Sequence, residues 1–463
     1  MICETIDTLK KSLNGILTPG VRDVEIADEG QLRATLVDDL IRTAVFASDE
    51  GTRAAARWLI RRTAAAAGIS VASIQGLYEA MGRGDVSGFT VPAINIRAMT
   101  YDTAQAVFRA ALADGVGAVI FEIARSEIDY TRQRPDEYTC AVLAAALKTG
   151  YRGPLFLQGD HFQVGAKRYA KDPEAEVKAV KDLIWEAIDA GFYNIDIDTS
   201  TLVDLSEPTV PEQQRLNYTL AAELTTMIRD LEPAGVTISV GGEIGEVGGK
   251  NSTVEELRAF MDGYRSVLEQ SGTNLTGISK ISVQTGTTHG GVPLADGSVA
   301  RVKLDFETLE RLSAVARTDY GLAGAVQHGA STLPNEAFDR FPATGTAEIH
   351  LATGFQNIVY DSPNFPADLR QKIYDYLKQE AASERKEGDT EEQFIYKTRK
   401  KGTGPFKREL WDLPQAVRLA LGKELEAQFS LLFKKLSVGG TLAQVRKFVP
   451  AVDVPLKPPA VLV

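Results

Sequence analysis

Eight short runs of β-branched and apolar residues, each followed by a segment long enough for a helix, constrain this chain more than any other feature. The runs are FTVPAIN (89–95), VGAVIFEI (116–123), PLFLQ (154–158), YNIDID (193–198), VTISVGGE (236–243), ISKISVQ (278–284), LAGAVQ (322–327) and TAEIHLA (346–352). Between them lie segments of helical period such as YDTAQAVFRAALAD, DPEAEVKAVKDLIWEAIDA, TVEELRAFMDGYRSVLEQ and DFETLERLSAVAR. Ser252 or Thr253, ahead of Glu255 and Glu256, supplies a helix start. Eight strands alternating with helices over about 270 residues match a (β/α)8 TIM barrel in size and order. The rival doubly wound sheet would offer a glycine-rich strand-to-helix turn, and no G-x-G-x-x-G follows any of these runs. The expected fold class is therefore α/β, a barrel with helical N-terminal and C-terminal extensions.

The expected domains are a helical extension over 1–85, a catalytic barrel over 86–360, and a helical C-terminal extension with a charged loop over 361–463. DEGQLRATLVDDLIRTAVFA and GTRAAARWLIRRTAAAAG carry the helical spacing of the first segment. DLRQKIYDYLKQEAASERKEGDTEEQ reads as a solvated helix and mobile loop, and a last amphipathic helix is expected around 415–436. A net charge of −11 argues against a general nucleic-acid binder but leaves room for a phosphorylated sugar held by a few local cations. Cys3 and Cys140 are too few for a disulfide framework, and their spacing is no metal motif. No apolar run is long enough to span a bilayer and no secretory leader is evident, so a cytoplasmic protein without membrane or nucleic-acid partners is expected.

The chain has only four histidines, His161, His289, His328 and His350, and each falls at or just after the end of an expected strand. That rim carries the active site in this fold. His161, His289 and His328 are therefore expected to be metal ligands rather than packed core residues. His350 stands in a strand that points it either into the barrel or into the cleft. Asp160, Asp196, Asp198 and Glu243 share the rim, and three imidazoles with a nearby carboxylate suit a divalent cation with an open position. An N-cap or a salt bridge is the plainer explanation for each acid, above all for Asp196, which shares a face with Asp198. QTGTTHGG (284–291) and QHGAST (327–332) add small residues whose backbone N–H groups can approach an anion, or simply form tight turns.

Seven segments in order resemble the class II, metal-dependent, fructose-bisphosphate and tagatose-bisphosphate aldolases. They are GFTVPAINIRAMTYDTAQAVFRAA, LQGDHF, NIDIDTS, GGEIGEVGG, QTGTTHGG, QHGAST and EIHLATGF, covering about residues 86–360. The resemblance implies that His161, His289 and His328 bind one catalytic Zn2+ per chain, with Glu243 and Asp198 able to touch a displaced or second cation. It implies Asp160 as the acid/base, and Gly290, Gly329, Ser331 and Thr353 around the phosphate of a dihydroxyacetone-phosphate-like half. Asn95 would sit near the enediolate, and a homo-oligomer is implied as well.

Four departures accompany this likeness. His350 replaces the family's substrate-contacting asparagine, and Glu348 replaces a lysine two residues before it. Lys250 and Asn251 stand where a loop acid is expected, with Glu246 as the candidate replacement, and Ala124 stands where a serine is expected. Residues 1–85 have no counterpart in the ordinary enzymes. The function expected is cleavage or formation of a C–C bond in a ketose phosphate. Alternatives are a C4 epimerase acting by retro-aldol and aldol steps, Schiff-base chemistry through Lys280, and a non-catalytic sugar-phosphate-binding subunit. The basic stretch 396–410 is a solvated loop or else reaches a distal phosphate through Arg399, Lys400, Lys401 or Lys407, with Lys407 taken as the candidate.

Overall fold

Strands that are covered on both faces need apolar residues toward the helices, and what they place toward the axis decides what the barrel can do. In the computed structural model, which describes all residues except 246–249, 273, 287–293, 295–303 and 463, eight parallel strands close into a barrel. They are β1 (Val91–Asn95), β2 (Ile120–Ala124), β3 (Gly153–Gln163), β4 (Asn194–Asp198), β5 (Ser239–Gly245), β6 (Lys280–Val283), β7 (Ala325–Gln327) and β8 (Glu348–Leu351). Each strand pairs with its successor, and β8 closes on β1 with Glu348 opposite Val91 and His350 opposite Ala93. All eight expected strands are present, and the (β/α)8 architecture with helical extensions is as the alternation implied.

β3 runs further than expected. PLFLQ continues through Gly159, Asp160 and His161 to Gln163, with a register shift between Gly159 and Phe162. The first 85 residues also hold strands that helical periodicity hid. Leu17–Pro19 and Val24–Ile26 form a hairpin, and Ile69–Ala72 pairs in parallel with Gly153–Phe156 at the start of β3. The run ISVA follows Gly68, whose φ of +77° ends the preceding helix, Glu50–Ala66. A four-residue run beside an alanine-rich helix carries too little periodicity to stand out. At the other end of the chain a further helix, Leu442–Phe448, follows Gln415–Lys435. The C-terminal tail lies along the N-terminal helices, with Arg62 bonded to Asp453 at 2.8 Å. No helix among the described residues is long and apolar enough to cross a membrane.

The barrel axis is polar. Alternate strands β2, β4, β6 and β8 contribute Glu122, Asp196, Lys280 and Glu348, all at most 6% exposed. Their apolar neighbours Phe121, Ile195, Ile281 and Ile349 alternate with them along the strands. Lys280 Nζ lies 2.5 Å from Glu348 Oε1, 2.8 Å from Gln158 Oε1 and 3.0 Å from Asp196 Oδ2. Gly241 of β5 leaves room for this pair, since a Cβ there would stand 2.3 Å from Asp196 Oδ1 and 2.9 Å from Lys280 Cε. From the N-terminal end of the barrel, the helix Gln75–Gly82 inserts Tyr78, whose hydroxyl donates to Glu348 Oε2.

Removing one member of a buried ion pair leaves its partners uncompensated. Lys280→Met is expected to destabilise the protein by about 3–5 kcal/mol, measured by urea unfolding, because Asp196 and Glu348 would share one unneutralised pocket. Unchanged stability would mean that the axial carboxylates do not depend on this lysine.

Candidate active site

Asp160 and His161 are adjacent in sequence, so a regular pleat would send them to opposite faces. His161 instead adopts φ +41° at the β3 irregularity, an uncommon conformation for a residue with a Cβ. The bulge keeps Asp160 on the axial face with Gln158 and turns His161 to the same side. There His161 Nδ1 lies 3.1 Å from both Asp198 Oδ2 of β4 and Glu243 Oε2 of β5. Its Nε2 lies 3.8 Å from Asp160 Oδ1.

His328 follows β7 directly and sets its ring between two others, tilted against His161 at 4.3 Å and stacked on His350 at 4.0 Å. Ser282 Oγ of β6 is 3.0 Å from His328 Nε2. The structure thus brings His161, His328, Asp160, Asp198 and Glu243 into one cluster. His289, Gly290 and Glu246, expected as ligand, phosphate contact and replacement acid, lie outside the described residues.

Burial and crowding of like charge shape the electrostatics. Burial first, and then the neighbouring Asp198, push Glu243 up to about 7. Burial likewise lifts Glu122 to about 8, with Asp160 adding to the effect. Asp196 rises to about 6 through burial, although Lys280 opposes the shift. Burial would also raise Glu348, but Lys280 and His350 outweigh it and hold that carboxyl at about 2. His161 is raised well above the usual imidazole range, because Asp160 and Glu243 overcome the cost of burying its charge.

His350 points into the barrel, the first of the two positions expected for it. Its Nδ1 faces Glu122 Oε2 at 3.0 Å and Asp160 Oδ1 at 3.2 Å, while its Nε2 faces Glu348 Oε1 at 2.7 Å and Asp196 Oδ2 at 3.6 Å. It therefore joins the catalytic rim to the axial charges. Asn95 places Nδ2 3.5 Å from Asp160 Oδ2 and 2.6 Å from Glu127 Oε2. Glu127 also accepts from Arg97 Nε at 2.7 Å and from the Ala124 N–H at 2.8 Å.

The phosphate-side residues come together as well. Gly329 has φ +68° and Ser331 Oγ accepts from the Ala352 N–H at 2.6 Å. Gly354 is required here, since a Cβ would stand 2.7 Å from the Ser331 carbonyl oxygen. Thr353 opens the helix Thr353–Asp361, which has no side-chain cap, and its Oγ1 accepts from Arg97 Nη1 at 3.1 Å. Lys407 is engaged elsewhere, 2.5 Å from Glu137 Oε1 and 2.7 Å from the Arg132 carbonyl.

Reading the sequence missed Arg97, Glu122, Glu127, Gln158 and Ser282. A charged residue in the middle of an apolar strand, as in VIFEIA, was the available signal for Glu122, and Arg97 shares its parity with Asn95. The donor set fits a divalent cation. Asp160, His161 and His328 offer ligand atoms within 4.8 Å of one another, and so do His161, Asp198 and Glu243. Three carboxylates around one imidazole also leave an excess of negative charge that a cation would relieve.

A closed parallel barrel that gathers imidazoles and carboxylates able to hold a cation at its C-terminal rim is the architecture of a class of barrel enzymes. Residues 77–400 match the family model for class II fructose-bisphosphate aldolase, and the chain belongs to that family. A probable tagatose 6-phosphate kinase from Sinorhizobium meliloti has a similar fold, at 20% identity and TM-score 0.53, covering 80% of this chain and 96% of its own. The fructose-bisphosphate aldolase of Campylobacter jejuni aligns at 16% identity and TM-score 0.47, over 81% of this chain and 98% of its own. A putative fructose-1,6-bisphosphate aldolase from Coccidioides immitis aligns at 18% identity and TM-score 0.43, over 79% and 96% respectively. Among curated proteins none matches.

The raised groups make metal-free stability depend on pH. Glu122 and Glu243 move from 4.5 to about 8 and about 7, so between these limits the folded state holds more protons than the unfolded one. Raised histidines act in the same direction, whereas Glu348, lowered to about 2, acts only below this window. Stability therefore falls as pH rises from about 5 to about 8. Thermal melting of chelator-treated protein should show a lower midpoint at pH 8 than at pH 6, with added Zn2+ restoring more at pH 8. A midpoint that rises over this range would show that the cluster is not charge-frustrated.

Proposed function

We propose that the protein is a zinc-dependent aldolase that cleaves or forms a carbon–carbon bond in a ketose phosphate. The observation that carries this reading is the placement of Asp160 beside His161 and His328, with Asn95 and the Thr353 helix start on the same rim. His161 and His328 would hold the cation together with His289, while Asp198 and Glu243 orient His161 and offer alternative ligands. Bound there, the cation would supply an electrophile for the ketone oxygen and compensate the charge of the enediolate.

The remaining work falls to the chain's own groups. In the cleavage direction Asp160 takes the proton of the hydroxyl on the carbon that becomes the aldehyde, and it returns that proton in synthesis. His350 and Asn95 fix the Asp160 carboxylate from two sides, at 3.2 and 3.5 Å. Ser331 and the uncapped start of Thr353–Asp361 present donors toward a phosphate. Lys280 does not serve as an amine nucleophile in this reading. Its ammonium is 1% exposed, and although burial opposes the charge, Asp196 and Glu348 raise its pKa.

Asp160→Asn should lower kcat by about 10²–10⁴-fold while leaving one zinc per chain, measured by a coupled aldehyde assay and metal analysis. A variant with normal turnover would remove Asp160 from the chemistry. NMR of products from zinc-loaded protein and a panel of ketose phosphates tests the reaction itself. A three-carbon ketone and an aldehyde that vanish with chelator support cleavage, and a C4-epimeric sugar without free fragments would replace it with epimerisation.

A further inference from the structure

β3 begins below the barrel proper. It meets β2 only from Phe156 and β4 only from Gln158, and its first residues pair instead with Ile69–Ala72. Among the described residues that added strand pairs with no second strand. A cavity of about 450 Å3 lies beside it. Its walls come from the end of the helix Glu50–Ala66, from residues 69–71, from the approach to β4 and from the C-terminal tail. The volume lies within the roughly 300–1,000 Å3 of small-molecule sites. β4 runs from this end of the barrel, at Tyr193, to the rim, at Asp198, so the cavity is remote from the candidate active site.

Most of the lining is apolar, with Ala65, Ile69, Val71, Leu143, Val454 and Leu456. Two polar groups stand out among these walls. Tyr193 is 3% exposed, yet its hydroxyl makes no hydrogen bond among the described residues. A phenol buried to this degree ordinarily has a partner. Arg61 is the second group, its side chain 14% exposed. Its Nη2 donates to the Asp189 carbonyl at 3.0 Å. Its closest carboxylate oxygen, Asp136 Oδ1, stands 3.6 Å away, beyond hydrogen-bond range, and Asp136 is bonded to Arg57 at 3.2 Å. Gly191 keeps this guanidinium over the approach to β4. Its φ is +96°, and a Cβ there would stand 3.4 Å from Val71 Cγ1 and 3.7 Å from Arg61 Nη2. The other arginine of the lining, Arg62, is already neutralised by Asp453, at 2.8 and 3.3 Å.

We propose that this cavity binds a small monocarboxylate with an apolar body, its carboxylate held by Arg61 and Tyr193. Guanidinium offers a charged donor edge, the phenol adds a neutral donor, and the alanine, isoleucine, valine and leucine walls take the hydrocarbon. A dianion such as phosphate is disfavoured, because Asp23 and Asp453 also line the cavity. An uncharged ligand leaves the guanidinium without a carboxylate in hydrogen-bond range. The site belongs to the two extensions rather than to the barrel rim, and it stands independently of the aldolase reading.

The probes are octanoate, 3-phenylpropionate and uncharged 1-octanol, each titrated into full-length protein by calorimetry. The proteins are wild type, Arg61→Gln, Tyr193→Phe, Ala65→Phe and Arg258→Gln, the last removing an exposed arginine paired elsewhere with Asp319. Thermal melting of each variant verifies folding, and Tyr193→Phe removes only the hydroxyl. Carboxylate binding should saturate at a single site. It should weaken about tenfold in Arg61→Gln and about fivefold in Tyr193→Phe, and match wild type in Arg258→Gln. Ala65→Phe, which fills the cavity, should abolish it. 1-Octanol should bind more weakly than octanoate and be indifferent to Arg61→Gln. Binding by octanoate alone or by 3-phenylpropionate alone supports the site and assigns its ligand to chain or ring. Absence of saturable binding by both carboxylates, or wild-type affinity in Ala65→Phe, overturns the site. Equal affinity for octanoate and 1-octanol overturns the carboxylate.

Discussion

The contact between Lys280 and the carboxylates of Glu348 and Asp196 is the constraint around which the barrel is organised. A parallel barrel usually fills its axis with branched apolar side chains, and the layer then needs no electrostatic balance. Here alternate strands send charges inward, and each charge is tolerable only because another strand supplies its counterpart. Closure of the sheet and neutralisation of its axis are thus one event. Gly241 leaves the room this requires, and Tyr78 seals the N-terminal end with a hydroxyl rather than a further apolar plug. His350 transmits the arrangement upward, because one imidazole touches both the axial carboxylates and Asp160.

At the rim, a single backbone departure gathers acidic and imidazole groups on one side of a strand. Without the left-handed residue at His161, the ring would turn toward the helices and leave Asp198 and Glu243 facing each other without an imidazole between them. The strain is sustained by what it gains, two acceptors on one ring nitrogen and a close ring neighbour in His328. Asp160 and His161 therefore share one bulge, and neither can shift without the other.

Much of this is legible in the amino-acid sequence. Apolar runs of strand length, spaced by amphipathic segments, identify the barrel because alternation of that kind has few other solutions. Scarcity made the histidines informative, since all four in the chain fall at or just after the ends of the strands the sequence implies. The axial network was harder to see. Glu122 and Lys280 each look like an isolated irregularity in an apolar run, and only closure of the sheet brings them together. ISVA at 69–72 was hidden because its pairing partner lies more than eighty residues away, beyond the reach of local periodicity. Lys400 and Lys407 cannot be told apart by charge patterning, because what separates them is the carboxylate that the fold places beside one and withholds from the other.

The two extensions act on opposite ends of the same barrel. From below, Gln75–Gly82 contributes Tyr78 to the axial charges, and the segment after Thr398 brings Lys400 over the Tyr130 ring. Substitution of the family's usual lysine and asparagine by Glu348 and His350 changes the sign of the charge inside the barrel, and Lys280 restores it from another strand.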